Sequence, residues 1–252
     1  MPPAATHPSL LPTDWKIPAA IRERLGVEAG RQRMMLEEDH LLLVLHASPA
    51  ENEQGRRGRF FWREPSGVWH AAPRTDRVAT LDSHLDEYNE TLEQLEQADD
   101  AASQAHDFLR LLDRAAPLTR STRNMHDTLQ QAREALPDER RLIVARDRAY
   151  DLARRADLLY HDAKNGLEFA MASQAEKQAE SSRQMATAAY RLNLLAAFFF
   201  PIATLSAIFG TNLQNGMEHW NRSHPLTPLL TVIGAGLFCG WVLMQFIKRP
   251  PE

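Results

Sequence analysis

The sequence predicts an α+β fold, mostly α overall. A small antiparallel sheet with helices is joined by a very long stalk helix to two transmembrane helices. Three observations predict it. Two apolar runs near the C-terminus, Leu192–Phe209 and Leu226–Ile247, contain no Asp, Glu, Lys, Arg or His. A run of about 18 or more such residues is long enough to cross a bilayer as a helix. Strand-like segments are confined to the residues before Pro73, and beyond it apolar residues recur at helical spacing with few glycines or prolines.

Average composition conceals this organisation. The chain is 25% charged and 44% hydrophobic, which reads as soluble, but residues 1–185 carry nearly all the charge and 192–247 almost none. A hydrated region attached to a membrane region follows. The expected divisions are an α/β cytoplasmic subdomain over 1–74, helical stalk and antiparallel helices over 75–185, and a two-span domain over 186–252, with spans near 190–210 and 226–247. The net charge of −4 argues against nucleic acid as a partner. The single cysteine, Cys239, lies in the second apolar run, so no intrachain disulfide is possible.

The N-terminus has neither a basic nor an apolar leader segment, so the spans themselves are expected to direct insertion. Arg183 and Arg191 precede the first span, Lys248 and Arg249 follow the second, and the intervening loop holds only Arg222. The positive-inside rule then places both termini in the cytoplasm of a cell-membrane protein surrounded by lipid.

Taken in order, residues 1–20 are proline-rich and loop-like. A short helix is expected over Pro18–Leu25, with proline in its first turn. Strands are expected at Gln32–Leu36, His40–His46, Arg59–Arg63 and Val68–Ala71, the last two joined at Pro65-Ser66-Gly67 as a hairpin. Thr75–Asp113 reads as one helix that Pro117 breaks, and Leu118–Leu136 as a second that Pro137 ends. From Asp138, Leu142, Ala145, Ala149, Leu152, Ala156, Leu159, Ala163, Leu167 and Ala170 alternate by threes and fours, a seam for packing against other helices in a bundle or oligomer. Large apolar residues then nearly vanish from Gln174 to Arg191.

Inside the first span Ala186, Ala189, Asn193, Ala196, Phe200, Ala203 and Ala207 fall on one helix face. Two readings of this stripe stand. Small residues let transmembrane helices approach closely. Alternatively, in a ring of identical helices the stripe lines a pore, where Asn193 faces water and Phe200 forms a constriction. Gly236 and Gly240 in the second span form a GxxxG pattern suited to packing against the first.

Residues Ser182 to Asn212 resemble the pore helix of the CorA-like divalent metal cation (magnesium) transporter family. Phe200-Pro201-Ile202 is similar to the family's Met-Pro-Leu. Ile208-Phe209-Gly210-Thr211-Asn212 is similar to its Ile-Tyr-Gly-Met-Asn, at the same spacing from the proline, and Met217-Glu218-His219-Trp220 loosely resembles its Met-Pro-Glu-Leu. The resemblance implies a homopentamer. One pore-lining helix comes from each subunit, the second span rings the outside, and Gly210, Thr211 and Asn212 sit at the outer mouth. There Asn212 oxygens would meet a hydrated Mg²⁺, an ion that gives up its waters reluctantly. Thr211 departs from the family, which has Met, or Ile in its zinc-handling branch.

Glu218 is the candidate for attracting cations to the mouth, with a solvated loop carboxylate as the alternative. His219 and His224 are a weak transition-metal pointer. The family's regulatory metal site maps to Asp151, beside Asp147, Asp157 and Asp162 on the same helix, and the acidic stretch Glu87–Asp100 resembles its acidic hairpin. No nucleotide-binding loop, nucleophile motif or organic cofactor motif is present, so no enzymatic chemistry is expected. The expected ligand is Mg²⁺ or another divalent cation, as substrate and regulator. A non-conducting membrane-anchored sensor or scaffold on the same fold is the alternative function.

Overall fold

The computed structural model describes residues 10–50, 57–73, 75, 78–210 and 227–247. A short helix α1 (Ala19–Glu23) precedes strands β1 (Arg33–Glu37), β2 (His40–His46), β3 (Gly58–Arg63) and β4 (Trp69–Ala72). Helices α2 (Leu81–Ala101), α3 (Ala105–Ala135), α4 (Arg140–Gly210) and α5 (Thr227–Ile247) follow. The chain divides into two compact units, Met1–Ala172 and Ser173–Glu252, and α4 contributes to both.

In the first unit the strands form an antiparallel meander in the order β1-β2-β3-β4. The β3–β4 turn is the expected one: Gly67 N–H donates to the Glu64 carbonyl at 2.9 Å, with Gly67 at φ 87°. The β1–β2 turn is different. Glu38 (φ 50°) and Asp39 (φ 59°) both take left-handed backbone, the conformation of a two-residue hairpin loop that Asn-Gly usually supplies. Nothing in this sequence pair advertises it.

Both faces of the sheet are covered, which explains the unbroken apolar runs Leu41–Leu45 and Phe60–Trp62. Alternate residues point to opposite faces. Leu41, Leu43, Leu45 and Phe61 join a core with α2, α3 and α4, while Leu42, Val44, Phe60 and Trp62 pack on Leu11, Trp15, Ile17 and Ile21.

The helical seam closes within the chain. Leu142, Ala145, Ala149, Leu152, Ala156, Leu159 and Ala163 are buried in one cluster with Leu85, Leu92 and Leu95 of α2 and Leu111, Met125 and Leu129 of α3. Charged pairs lie at its edge: Arg155 forks onto Glu96 at 2.7 and 3.0 Å, and Arg123 meets Asp157 at 2.7 Å.

The helix boundary differs from the sequence expectation. The break falls at Ala102–Gln104, between α2 and α3, and Pro117 lies inside α3. The Asp107 carboxylate accepts from the Gln104 and Ser103 N–H groups at 3.2 and 3.4 Å, capping the new helix. These bonds hold Asp107 below the usual carboxylate range. Pro117 costs α3 one backbone bond, but Ala115 and Leu118 on either side are buried in the core and hold the helix through it.

Candidate functional site

The second unit contains the apolar helices. The C-terminal part of α4 includes a stretch long and apolar enough, by length and composition, to cross a membrane, and among the described residues none of that stretch is fully buried. An apolar surface of that size is unfavourable in water.

The two helices meet through the glycine face of α5. A Cβ on Gly236 would lie 2.8 Å from Ile202 Cγ1 and 3.1 Å from its Cα. One on Gly240 would lie 3.0 Å from the Phe198 carbonyl oxygen and 3.2 Å from its Cα. The GxxxG pattern thus brings the backbone of α5 against that of α4. Phe198 and Ile202, four apart, match Gly236 and Gly240, also four apart, and Val232 continues the buried edge of α5. Gly234, two residues before Gly236, has nothing within 4 Å of the position a Cβ would take.

The predicted stripe lies opposite this contact. Phe200 is two residues from both Phe198 and Ile202, which turns it about 200° away at 3.6 residues per turn. Ala186, Ala189, Asn193, Ala196, Phe200, Ala203 and Ala207 are all exposed, Phe200 at 71%. Leu194, Ala197, Phe198, Pro201, Ile202 and Leu205 are half-buried. Among the described residues the stripe is therefore not the face that receives α5. The α4 residues that receive α5 escaped the sequence reading, although Phe198 and Ile202 carry the i, i+4 spacing that betrays them.

Pro201 sits within α4 and supplies no N–H for a backbone bond. Next to it, the Thr204 hydroxyl donates to the Phe200 carbonyl at 2.8 Å, a local bond of a kind that often bends helices. Gly210 is the last residue of α4. Thr211, Asn212 and Glu218, with His219 and His224, lie outside the described residues.

In the first unit, Asp151 is exposed on α4, and its charge helps hold Arg155 protonated, after the Glu96 hydrogen bond. Asp147 lies 3.1 Å from Arg146, and Asp157 pairs with Arg123. Asp162 is exposed near Asp99, whose carboxyl is raised by burial first and then by the charges of Asp162 and Asp100. Among the described residues no three His, Cys, Asp or Glu side chains of one chain converge as a metal site.

The fold is similar to that of the full-length CmaX protein, with a TM-score of 0.58 and 16% identity, covering 94% of this chain and 83% of that one. A second solved structure, the CorA magnesium transporter from Methanocaldococcus jannaschii, aligns over 84% of this chain and 78% of its own at 14% identity, but its TM-score of 0.36 is too low to speak to the fold. No protein-family model matches the sequence, and no curated protein matches it. The small antiparallel sheet, the helices after it and the long apolar helix are consistent with the CorA-like layout that the sequence resemblance implies.

Proposed function

We propose that this chain is a CorA-like channel or transporter that moves divalent metal cations, Mg²⁺ first among them, across a cell membrane without covalent chemistry. Five copies form the pore. Their α4 helices line it with Ala186, Ala189, Asn193, Ala196, Phe200, Ala203 and Ala207, and α5 is the second span on the outside. Gly210, Thr211, Asn212 and Glu218 form the outer mouth, both termini are cytoplasmic, and Asp151 contributes to a regulatory metal site between subunits. The membrane potential supplies the driving force, about 4.6 kcal/mol for a divalent ion at about 100 mV.

The observation that carries this reading is the division of α4 into two faces. Its half-buried face meets α5 through Gly236 and Gly240, while the small-residue stripe points away and is exposed. A face so placed is free to meet water and other copies of itself.

Flux into proteoliposomes tests the reading. A verified five-copy particle is expected to pass Mg²⁺, with Zn²⁺, Ni²⁺ and Co²⁺ as competitors. Absence of flux for every ion would overturn transport and leave a non-conducting scaffold. The pore face has its own test in a Cys239→Ser background. Cysteine in place of Asn193 or Ala203 is expected to react with a small water-soluble reagent, and cysteine in place of Leu194 to be protected. Equal protection at all three would refute the assignment.

A further inference from the structure

A cavity of about 500 Å³ opens in the first unit, between the start of β1 and α3. Every residue lining it has a polar side chain. Arg31, Gln32 and Arg33 line it from the β1 side with His46 of β2, and Asn124 and Asp127 face them from α3. Two guanidiniums against one carboxylate leave the wall positive.

Its components are differently constrained. Arg33 is fixed, because its Nη1 donates to the carbonyls of Ala29 at 2.8 Å and Arg31 at 2.9 Å. The exposed Arg31 guanidinium has no hydrogen-bond or ion-pair partner among the described residues. Gln32 Nε2 donates to the Ser121 carbonyl at 2.9 Å and approaches Ser121 Oγ at 3.3 Å. A carbonyl only accepts, so the amide orientation is set. That leaves Gln32 Oε1 as a shielded acceptor with no partner, a costly state for a buried polar atom.

We infer that this cavity binds a small oxyanion that carries a proton, of the hydrogen phosphate class. Arg31 and Arg33 take the negative charge, since a guanidinium fork matches phosphate oxygens. The terminal torsion of glutamine is soft, so Gln32 Oε1 can turn to accept the ligand's O–H while Nε2 keeps one of its two Ser121 acceptors. No Leu, Ile, Val, Phe or Trp side chain lines the cavity, and its two guanidiniums suit an anion. The site is wired inward, because Ser121 Oγ lies 2.6 Å from the hydroxyl of Tyr88, which is buried in α2 and donates to the carbonyls of His46 and Ala47. This inference is independent of ion transport.

Thermal melting of the full-length protein in detergent tests it, with inorganic phosphate, sulfate and chloride compared at one ionic strength. Inorganic phosphate keeps an O–H at neutral pH and sulfate keeps none. Phosphate is expected to raise the melting temperature saturably, with a half-saturating concentration about tenfold or more below that of sulfate, as a hydrogen bond to a charged partner predicts. Arg31→Ala and Arg31→Glu, both at an exposed position, are expected to melt like the wild type without ligand and to lose the phosphate response. No saturable response, an equal response to sulfate, or an unchanged response in both Arg31 variants would overturn the site.

Discussion

The two stretches of α4 have the same helical geometry and opposite surroundings. From Leu142 to Ala163 its seam is buried against α2 and α3, with Ala149 and Ala163 fully enclosed. From Gln174 to Asn193 every residue is exposed. Beyond that, one face meets α5 and the other is exposed among the described residues. Three-and-four spacing therefore marks a face without naming what covers it. In the first stretch the partner is the chain's own helices, and in the second the stripe is left for water, lipid or further copies.

The largest expected contrast comes from one substitution made in both stretches. Leu152→Ala removes a side chain that is 4% exposed in the core and is expected to cost about 2–5 kcal/mol. Leu192→Ala removes one that is 67% exposed, and is expected to leave the unfolding of the first unit within about 0.5 kcal/mol of the wild type. Urea titration followed by tryptophan fluorescence, to which Trp15, Trp62 and Trp69 of the first unit contribute, measures both. Equal losses would erase the distinction between the two environments.

A second contrast lies in the first unit's core. His84 is fully buried between Phe61 and Tyr88, with neither ring nitrogen hydrogen-bonded among the described residues. Burial, then the charges of Arg59 and His46, pushes it down to about 3 from 6.5. The unfolded chain therefore takes up a proton below pH 6.5 that the native state refuses. Stability contributed by the neutral ring is complete above pH 6.5. It falls by about 1.4 kcal/mol per pH unit until native His84 itself titrates near 3. Between pH 6.5 and 5 the loss is about 2 kcal/mol. His84→Phe is expected to flatten the urea midpoint over this window, and an unchanged slope would assign the acid sensitivity elsewhere.

Much of the fold was legible because its signals are local. The apolar runs in β2 and β3, the Pro65-Ser66-Gly67 turn and the Leu142–Ala163 seam each state their structure in their own residues. The Ala102–Gln104 break was not legible, since it depends on Asp107 capping a helix whose sequence has no glycine or proline there. Pro117 misled for the converse reason, as tertiary packing outweighed one missing backbone bond. At the candidate site, periodicity gathered the stripe onto one face, but only the contact of Gly236 and Gly240 with the opposite face showed which face of α4 receives α5.

The smallest expected effect probes that contact directly. Glycine-to-alanine changes at Gly234, Gly236 and Gly240 add the same methyl group to one helix, three times within two turns. At Gly234 the methyl meets nothing within 4 Å, so only the gain in helix propensity remains, up to about 1 kcal/mol in a water-exposed helix and less in lipid. At Gly236 it meets the Ile202 side chain at 2.8 Å and its Cα at 3.1 Å, and at Gly240 the Phe198 carbonyl oxygen at 3.0 Å. Side-chain carbons can move aside, but the backbone atoms yield only if the helices separate. Gly240→Ala is thus expected to be the most destabilising of the three, by about 1 kcal/mol or more, with Gly236→Ala next and Gly234→Ala neutral or slightly stabilising. Melting temperatures of the three variants in one detergent give the order. If Gly234→Ala matched Gly240→Ala, α5 would not be seated on α4 through this face, and the case for an open stripe opposite it would fall with it.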